Sequence, residues 1–297
     1  MPQSSAELRP SGLPYALGAH LIWGLMPLYL RQVHSVPVLE FVGWRVIFTL
    51  PCALLFIALR GQGSELRVAL GNRRILLRLL ISAVFVASNW LIYVLAIQSG
   101  QVLAASFGYY VTPLLQVGVG ALFLHEKLTI RQWGAVALAA LGVSVLGWDQ
   151  GGMLWLSLGM ALSWLGYGLV RKVTPVGSLP GLTIETLVLL PFALALLGWH
   201  AATPAGLSLG QSGWLDLMIV CAGPMTAVPL TFFAIAARRM DFSALGMFQF
   251  SSPTIVFFLG LWVFGQPLDP LQLGAFALIW TAIAVFVWDL MTRRRAA

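Results

Sequence analysis

Few ionisable side chains lie inside the apolar runs of this chain, and those few carry the first functional argument. A charge in hydrocarbon is costly, so where one occurs it pairs, binds a solute or helps something move. Three stand out: Glu40 and Arg45 in one run and Glu185 in a later one. Arg45 lies about 12 Å along a helix axis from Pro37 and about 140° around the helix from Glu40. The two therefore do not form a same-face pair. A guanidinium keeps its charge and grips a carboxylate or phosphate in a fork. Arg45 is thus a candidate anion partner for a substrate, with a structural clasp between helices as the competing role. Glu40 follows Pro37 closely and Glu185 follows Pro180, so each could stabilise a helix N-terminus, or else gate or carry protons.

Polar and aromatic residues gather at matching depths in other runs. Asn89 and Tyr93 lie one helical turn apart. Ser106, Tyr109 and Tyr110 precede Pro113, and Gln249, Ser251 and Ser252 precede Pro253. Such groups suit a cavity that holds an amphipathic molecule by stacking and hydrogen bonding. Trp148, Trp155 and Trp199, near the ends of runs, suit the membrane interface instead. Pro113 and Pro253 each remove a helix hydrogen bond and are candidate paired bends. Ala135, Ala139, Ala140, Gly142 and Ser144 form a small-residue face for close helix packing. The four histidines are scattered, and Cys52 and Cys221 lie in apolar segments without zinc-like spacing. No cofactor or metal is expected.

The elements that must position these residues are membrane helices. Of 297 residues 59% are hydrophobic and 9% are charged, too little charge to cover a water-soluble surface. Runs of about 20 apolar residues, the length of a span, occur at 13–30, 37–59, 75–97, 102–124, 130–148, 153–170, 179–199, 214–236, 242–264 and 270–291. The net charge of +7 could suggest nucleic acid. With both termini inside, however, fifteen of the 17 Lys and Arg fall at inner loops and ends. That is the positive-inside pattern of a membrane protein near anionic lipid, so nucleic acid is not an expected partner.

The chain also matches itself at an offset of 140 residues. Tyr110-Val-Thr-Pro113 meets Phe250-Ser-Ser-Pro253, Gly120 meets Gly260, Gln132 meets Gln272, and Arg31 meets Arg171. With a small gap, Leu39-Glu40 meets Ile184-Glu185. Each half holds five spans, and an odd number forces the second half in upside down. The expectation is an all-α membrane protein of ten transmembrane helices in two inverted five-helix repeats. Residues 13–148 and 152–291 form the repeats, and 1–12 and 292–297 are cytoplasmic tails. Inverted repeats suit a secondary transporter of a small solute. A multipass membrane enzyme or a sensory or assembly protein is the alternative.

Several motifs resemble one known group. They are Trp23-Gly24, Pro27-Leu28-Tyr29, Glu40 with Arg45, Asn89-Trp90, Ser106-Phe-Gly-Tyr109-Tyr-Val-Thr-Pro113-Leu, Glu126-Lys-Leu and Gln132-Trp. The second half adds the run from Arg238 through Gly246 to Gln249, then Pro253-Thr, Phe276-Ala-Leu-Ile-Trp280 and Asp289. Together they resemble the RarD group of EamA-type transporters in the drug/metabolite transporter superfamily. The resemblance implies two EamA modules, an inner-membrane location and a central cavity that the fifth and tenth helices do not line. It further implies secondary transport of small metabolites or drugs, with a proton gradient as a candidate drive. Trp44 departs from an expected His, and Ala104 and Gln266 from expected Glu, which argues against a simple proton-coupling scheme. The residues expected at the substrate are Arg45, Asn89, Tyr93, Tyr109, Gln249, Trp23, Ser106 and Tyr110. Those expected at gates or in coupling are Glu40, Glu185, Pro113 and Pro253.

Overall fold

The structure, a computed structural model, describes residues 12–98, 102–147, 154–265 and 267–296. Helices account for most of them, and no strand occurs among the described residues. In chain order they are α1 (Leu13–Leu30), α2 (Val38–Leu59), α3 (Gly63–Leu70), α4 (Arg73–Gln98), α5 (Val102–Leu122), α6 (Ile130–Gly147), α7 (Leu154–Val173), α8 (Ser178–Ala201), α9 (Gly213–Arg239), α10 (Phe242–Gln249), α11 (Ser251–Trp262) and α12 (Pro270–Ala296). A single 3-10 turn, Arg31–Val33, follows α1. Among the described residues eight segments are long and apolar enough to cross a membrane, α10 and α11 counting as one. The chain is a multi-pass membrane protein. Its outward-facing side chains agree: Leu55, Leu77, Leu141, Leu158 and Leu194 are exposed, a patchwork that hydrocarbon solvates and water would not.

Backbone chemistry explains why these segments are helical. Hydrocarbon supplies no hydrogen bonds, so each crossing segment must satisfy its own N–H and C=O groups. Several helices run past their apolar ends. The stretch 292–296, expected as a tail, continues α12, and the loop near residue 60 folds into the short α3. The two prolines act differently. α5 continues through Pro113, whereas the ninth span breaks at Phe250, between α10 and α11. Pro253 has no N–H for the Gln249 carbonyl four residues back, and its ring crowds that carbonyl.

The packing is interleaved. α2 lies on α8 and α9, α4 on α7 and α8, α5 on α7 and α10, and α1 on α9 and α11, while α6 pairs with α12. Ala135, Ala139 and Gly142 are buried on the α6 face, beside Ile279 and Ala282 of α12; Ala140 is half-buried and Ser144 exposed. On α9, Gly223 lies so close to the Phe48 carbonyl of α2 that a Cβ there would overlap the oxygen. Backbone cannot yield as a flexible side chain can. Gly223→Ala is therefore expected to cost about 1–3 kcal/mol by overpacking. Thermal unfolding in detergent would check it, and an unchanged midpoint would mean that α2 and α9 separate freely.

Candidate functional site

A cavity of about 480 Å³ opens in the middle of the bundle and runs to the 31–37 connection. Its size falls in the range of small-molecule sites. α1, α2, α4, α5, α7, α9, α10 and α11 line it; α6 and α12 do not. Among the expected substrate residues Trp23, Arg45, Asn89, Tyr93, Tyr109, Tyr110 and Gln249 all face it, as does Pro253. The fold thus brings residues from six separate helices to one chamber. Ser106 lies in α5, but its side chain is outside the described residues.

Arg45 is the cation of this chamber. Its Nε donates to Thr226 Oγ1 on α9 at 3.1 Å, and the guanidinium lies 4.6 Å from the centre of the Trp90 ring. Among the described residues no carboxylate pairs with it, and no Asp or Glu lines the cavity. One edge of the guanidinium is therefore fixed by Thr226 and one face by Trp90, which orients the fork without neutralising it. A guanidinium held this way can accept a carboxylate or phosphate on its remaining donors.

The apolar walls are aromatic. Trp23 and Trp164 meet edge to face with centroids 5.2 Å apart, and Phe233 backs both at 5.8 and 5.2 Å. Tyr110 is braced by Phe276 at 5.9 Å. Tyr29, at the wide end, donates to the Met218 carbonyl at 2.8 Å. Such packed rings offer flat, rigid surfaces to a planar or apolar solute. Ser252 Oγ donates to the His20 carbonyl at 2.9 Å and lies 3.2 Å from His20 Nδ1, tying α1 to α11.

Asn89 differs from its neighbours. Its Nδ2 donates to the Met160 carbonyl at 2.9 Å and to Ser163 Oγ at 3.1 Å, both on α7. That amide nitrogen is spent on holding two helices together. Asn89→Ala is expected to lower stability by about 1 kcal/mol, the scale of an interhelical hydrogen bond in a membrane, with no selective effect on charged solutes. Equal thermal midpoints for variant and parent would remove the tie from the account.

The remaining expected residues lie elsewhere. Glu40 is buried at the start of α2 and accepts from Trp44 Nε1 at 2.9 Å, Ser208 N at 2.7 Å and Ser208 Oγ at 2.8 Å. Glu185 borders a separate space of about 10 Å³ beyond Trp90, room for about one water. Pro113 lies within α5 and does not line the cavity. Sequence reasoning passes over Trp164 and Thr226. A threonine in an apolar run carries no signal by itself. Trp164 sits one residue from the repeat mate of Trp23, the cue that would have found it.

Comparison with known proteins identifies the family. The model of the EamA-like transporter family matches residues 10–148. An uncharacterized transporter of Pseudomonas aeruginosa is 42% identical over 96% of each chain. Protein RarD of Escherichia coli is 36% identical over 98% of this chain and 99% of its own. A crystal structure 21% identical shares the fold, with a TM-score of 0.73 over 94% of this chain and 98% of that one. With relatives of such identity along nearly its whole length, the chain belongs to the EamA-like transporter family, in its RarD group, within the drug/metabolite transporter superfamily.

Proposed function

We propose that this protein is a secondary transporter that carries a small amphipathic metabolite or drug bearing a carboxylate or similar anion. It works by alternating access at the central cavity, in the inner membrane, with both termini cytoplasmic. The observation that carries the reading is Arg45: an oriented guanidinium without a carboxylate partner among the described residues, in an aromatic chamber open towards one end. Arg45 holds the anion. Trp23, Tyr93, Tyr109, Tyr110 and Gln249 contact the rest of the molecule, and Asn89 positions the wall. Ser106, about two helical turns before Pro113 and three and four residues before Tyr109 and Tyr110, belongs with them to the substrate site. Pro253 breaks its span at Phe250, and Pro113, which removes one hydrogen bond from the continuous α5, is the point at which that helix flexes as the two halves move.

The ten spans form two inverted five-helix repeats, and two features support this. Exchanging α1, α2, α4, α5 and α6 with α7, α8, α9, α10–α11 and α12 maps most of the packing onto itself, although α7–α9 has no comparable α1–α4 contact. The α2–α8, α5–α10 and α6–α12 pairs stay as they are, α5–α7 becomes α1–α11, α4–α7 becomes α1–α9, and α2–α9 becomes α4–α8. Helix ends repeat as well. The Phe123 and Leu124 amides both donate to the Val119 carbonyl, and 140 residues on the Val263 and Phe264 amides donate to that of Leu259. The next residues, His125 and Gly265, have φ of 54° and 63°.

Uptake by purified protein in liposomes tests the reading, with labelled organic acids, amino acids, nucleosides and amphipathic drugs, each with and without a pH gradient. Saturable flux of one class of anionic solute is expected. Flux no greater than in empty liposomes, with folded protein verified, would overturn it.

A further inference from the structure

A buried ion pair lies towards the end of the bundle opposite the cavity mouth. Arg171, in the last turn of α7, places Nη1 3.6 Å from Glu185 Oε1 on α8, and both side chains are almost fully enclosed, 1% and 3% exposed. Arg171 Nη2 donates to the Ser178 carbonyl at 2.9 Å, and Glu185 accepts from Ser82 Oγ on α4 at 2.6 Å. Three helices therefore meet at one point. Gly181 makes this possible, since a Cβ there would overlap the guanidinium. The small space beside Glu185 shares Trp90, Thr226 and Leu230 with the wall of the main cavity. Glu185 thus borders the space that continues the cavity beyond Trp90, and Arg171 holds it there. Around it Glu65 accepts from the Gly177 amide at 2.6 Å, Lys172 Nζ donates to the Met240 carbonyl at 2.8 Å, and Glu126 accepts from the amides of Phe242 and Ser243 at 2.6 and 2.9 Å.

The internal repeat carries Arg171 to Arg31 and Glu185 to Glu40. At the mouth of the cavity the equivalent pair is apart. Arg31 is exposed, its guanidinium 6.0 Å from the Phe264 ring centre. Glu40 is buried and held by Trp44 and Ser208. No ion pair joins the two among the described residues. One end is closed with its pair made; the other is open with its pair unmade.

We infer that Arg31–Glu40 and Arg171–Glu185 are reciprocal gates, each pair forming as its own end closes and parting as that end opens. The inference rests on the inverted-repeat transport reading above. A buried ion pair suits this task because desolvating the charges nearly cancels their attraction. Closing is then close to thermoneutral, and neither end becomes a trap. Ser82 and Ser208 each hydrogen-bond a carboxylate, which lowers the cost of parting it from its arginine.

The decisive variant is Arg31→Gln. This conformation alone makes it neutral, because among the described residues the Arg31 side chain meets only the exposed Phe264 ring; a gate makes it costly. Two reporters read the two ends in liposomes, in a Cys52→Ala, Cys221→Ala background: Val38→Cys at the cavity mouth and Leu182→Cys beside the small space. A membrane-impermeant maleimide is added from each side, with no solute present. Arg31→Gln is expected to cut Leu182→Cys labelling roughly tenfold and leave Val38→Cys fully reactive, because the mouth no longer closes. Arg31→Lys should restore the parental pattern, and Arg171→Gln should do the reverse, exposing Leu182→Cys and protecting Val38→Cys. If Arg31→Gln labels like a parent that transports, the gate is refuted and the transport reading stands. If the parent itself shows neither flux nor two-sided labelling, both fall together.

Discussion

Arg45→Ala is expected to abolish uptake of a carboxylated solute while leaving the protein folded. Hydrogen bonds to charged groups contribute about 1.5–3 kcal/mol each, and about 1.4 kcal/mol is tenfold in affinity. Losing a two-pronged grip should therefore weaken binding by at least roughly a hundredfold. Arg45→Lys keeps the charge but not the fork. With one donor in place of two, it should lie about tenfold below the parent. The structural cost is small, because Arg45 makes one hydrogen bond, to Thr226, and one ring contact, with Trp90. Comparing a labelled carboxylate with its methyl ester isolates the charge. The parent should favour the acid and Arg45→Ala should lose the preference. If the variant transports the acid as well as the parent does, Arg45 is a clasp between α2 and α9 and the anion site lies elsewhere.

Arg171→Ala is expected to be the most destabilising single change outside the apolar core. It leaves the Glu185 carboxylate buried with Ser82 as its remaining partner among the described residues, and removing one member of a buried pair costs about 3–5 kcal/mol. Replacing both members with apolar side chains, Arg171→Met with Glu185→Leu, strands no charge and should recover most of that stability. Uptake should not return, because a gate made only of apolar contacts has no reason to release. Thermal unfolding and liposome flux, measured on the same preparations, separate the two effects. A double variant that regains both would reduce the pair to a structural tie.

The fold was legible in the residue order to an unusual degree, and the reason is the solvent. In hydrocarbon each crossing segment must close its own hydrogen bonds, so apolar runs such as 38–59 and 178–201 are helices whatever their neighbours do. The helix ends are local too: Thr129 and Gln132 exchange hydrogen bonds at the start of α6, a motif readable from spacing alone. The candidate chamber was partly legible because polar residues inside a membrane are few, and most of those named converge on one cavity.

What each of those residues touches was decided only by packing. Several helices are apolar nearly all round, so periodicity does not say which face meets which partner. Thus the order of residues marks Asn89 as polar, but only the approach of α7 engages its amide nitrogen. It marks Glu40 as costly, but only the fold brings Ser208, 168 positions away, to its carboxylate. Matched prolines suggest matched bends, yet α5 runs on while the ninth span breaks at Phe250. Sequence placed the charges at their depths because burying a charge is costly wherever it occurs. Which of them are paired, and which end stands open, follows from contacts between helices far apart in the chain, and only the tertiary structure sets those.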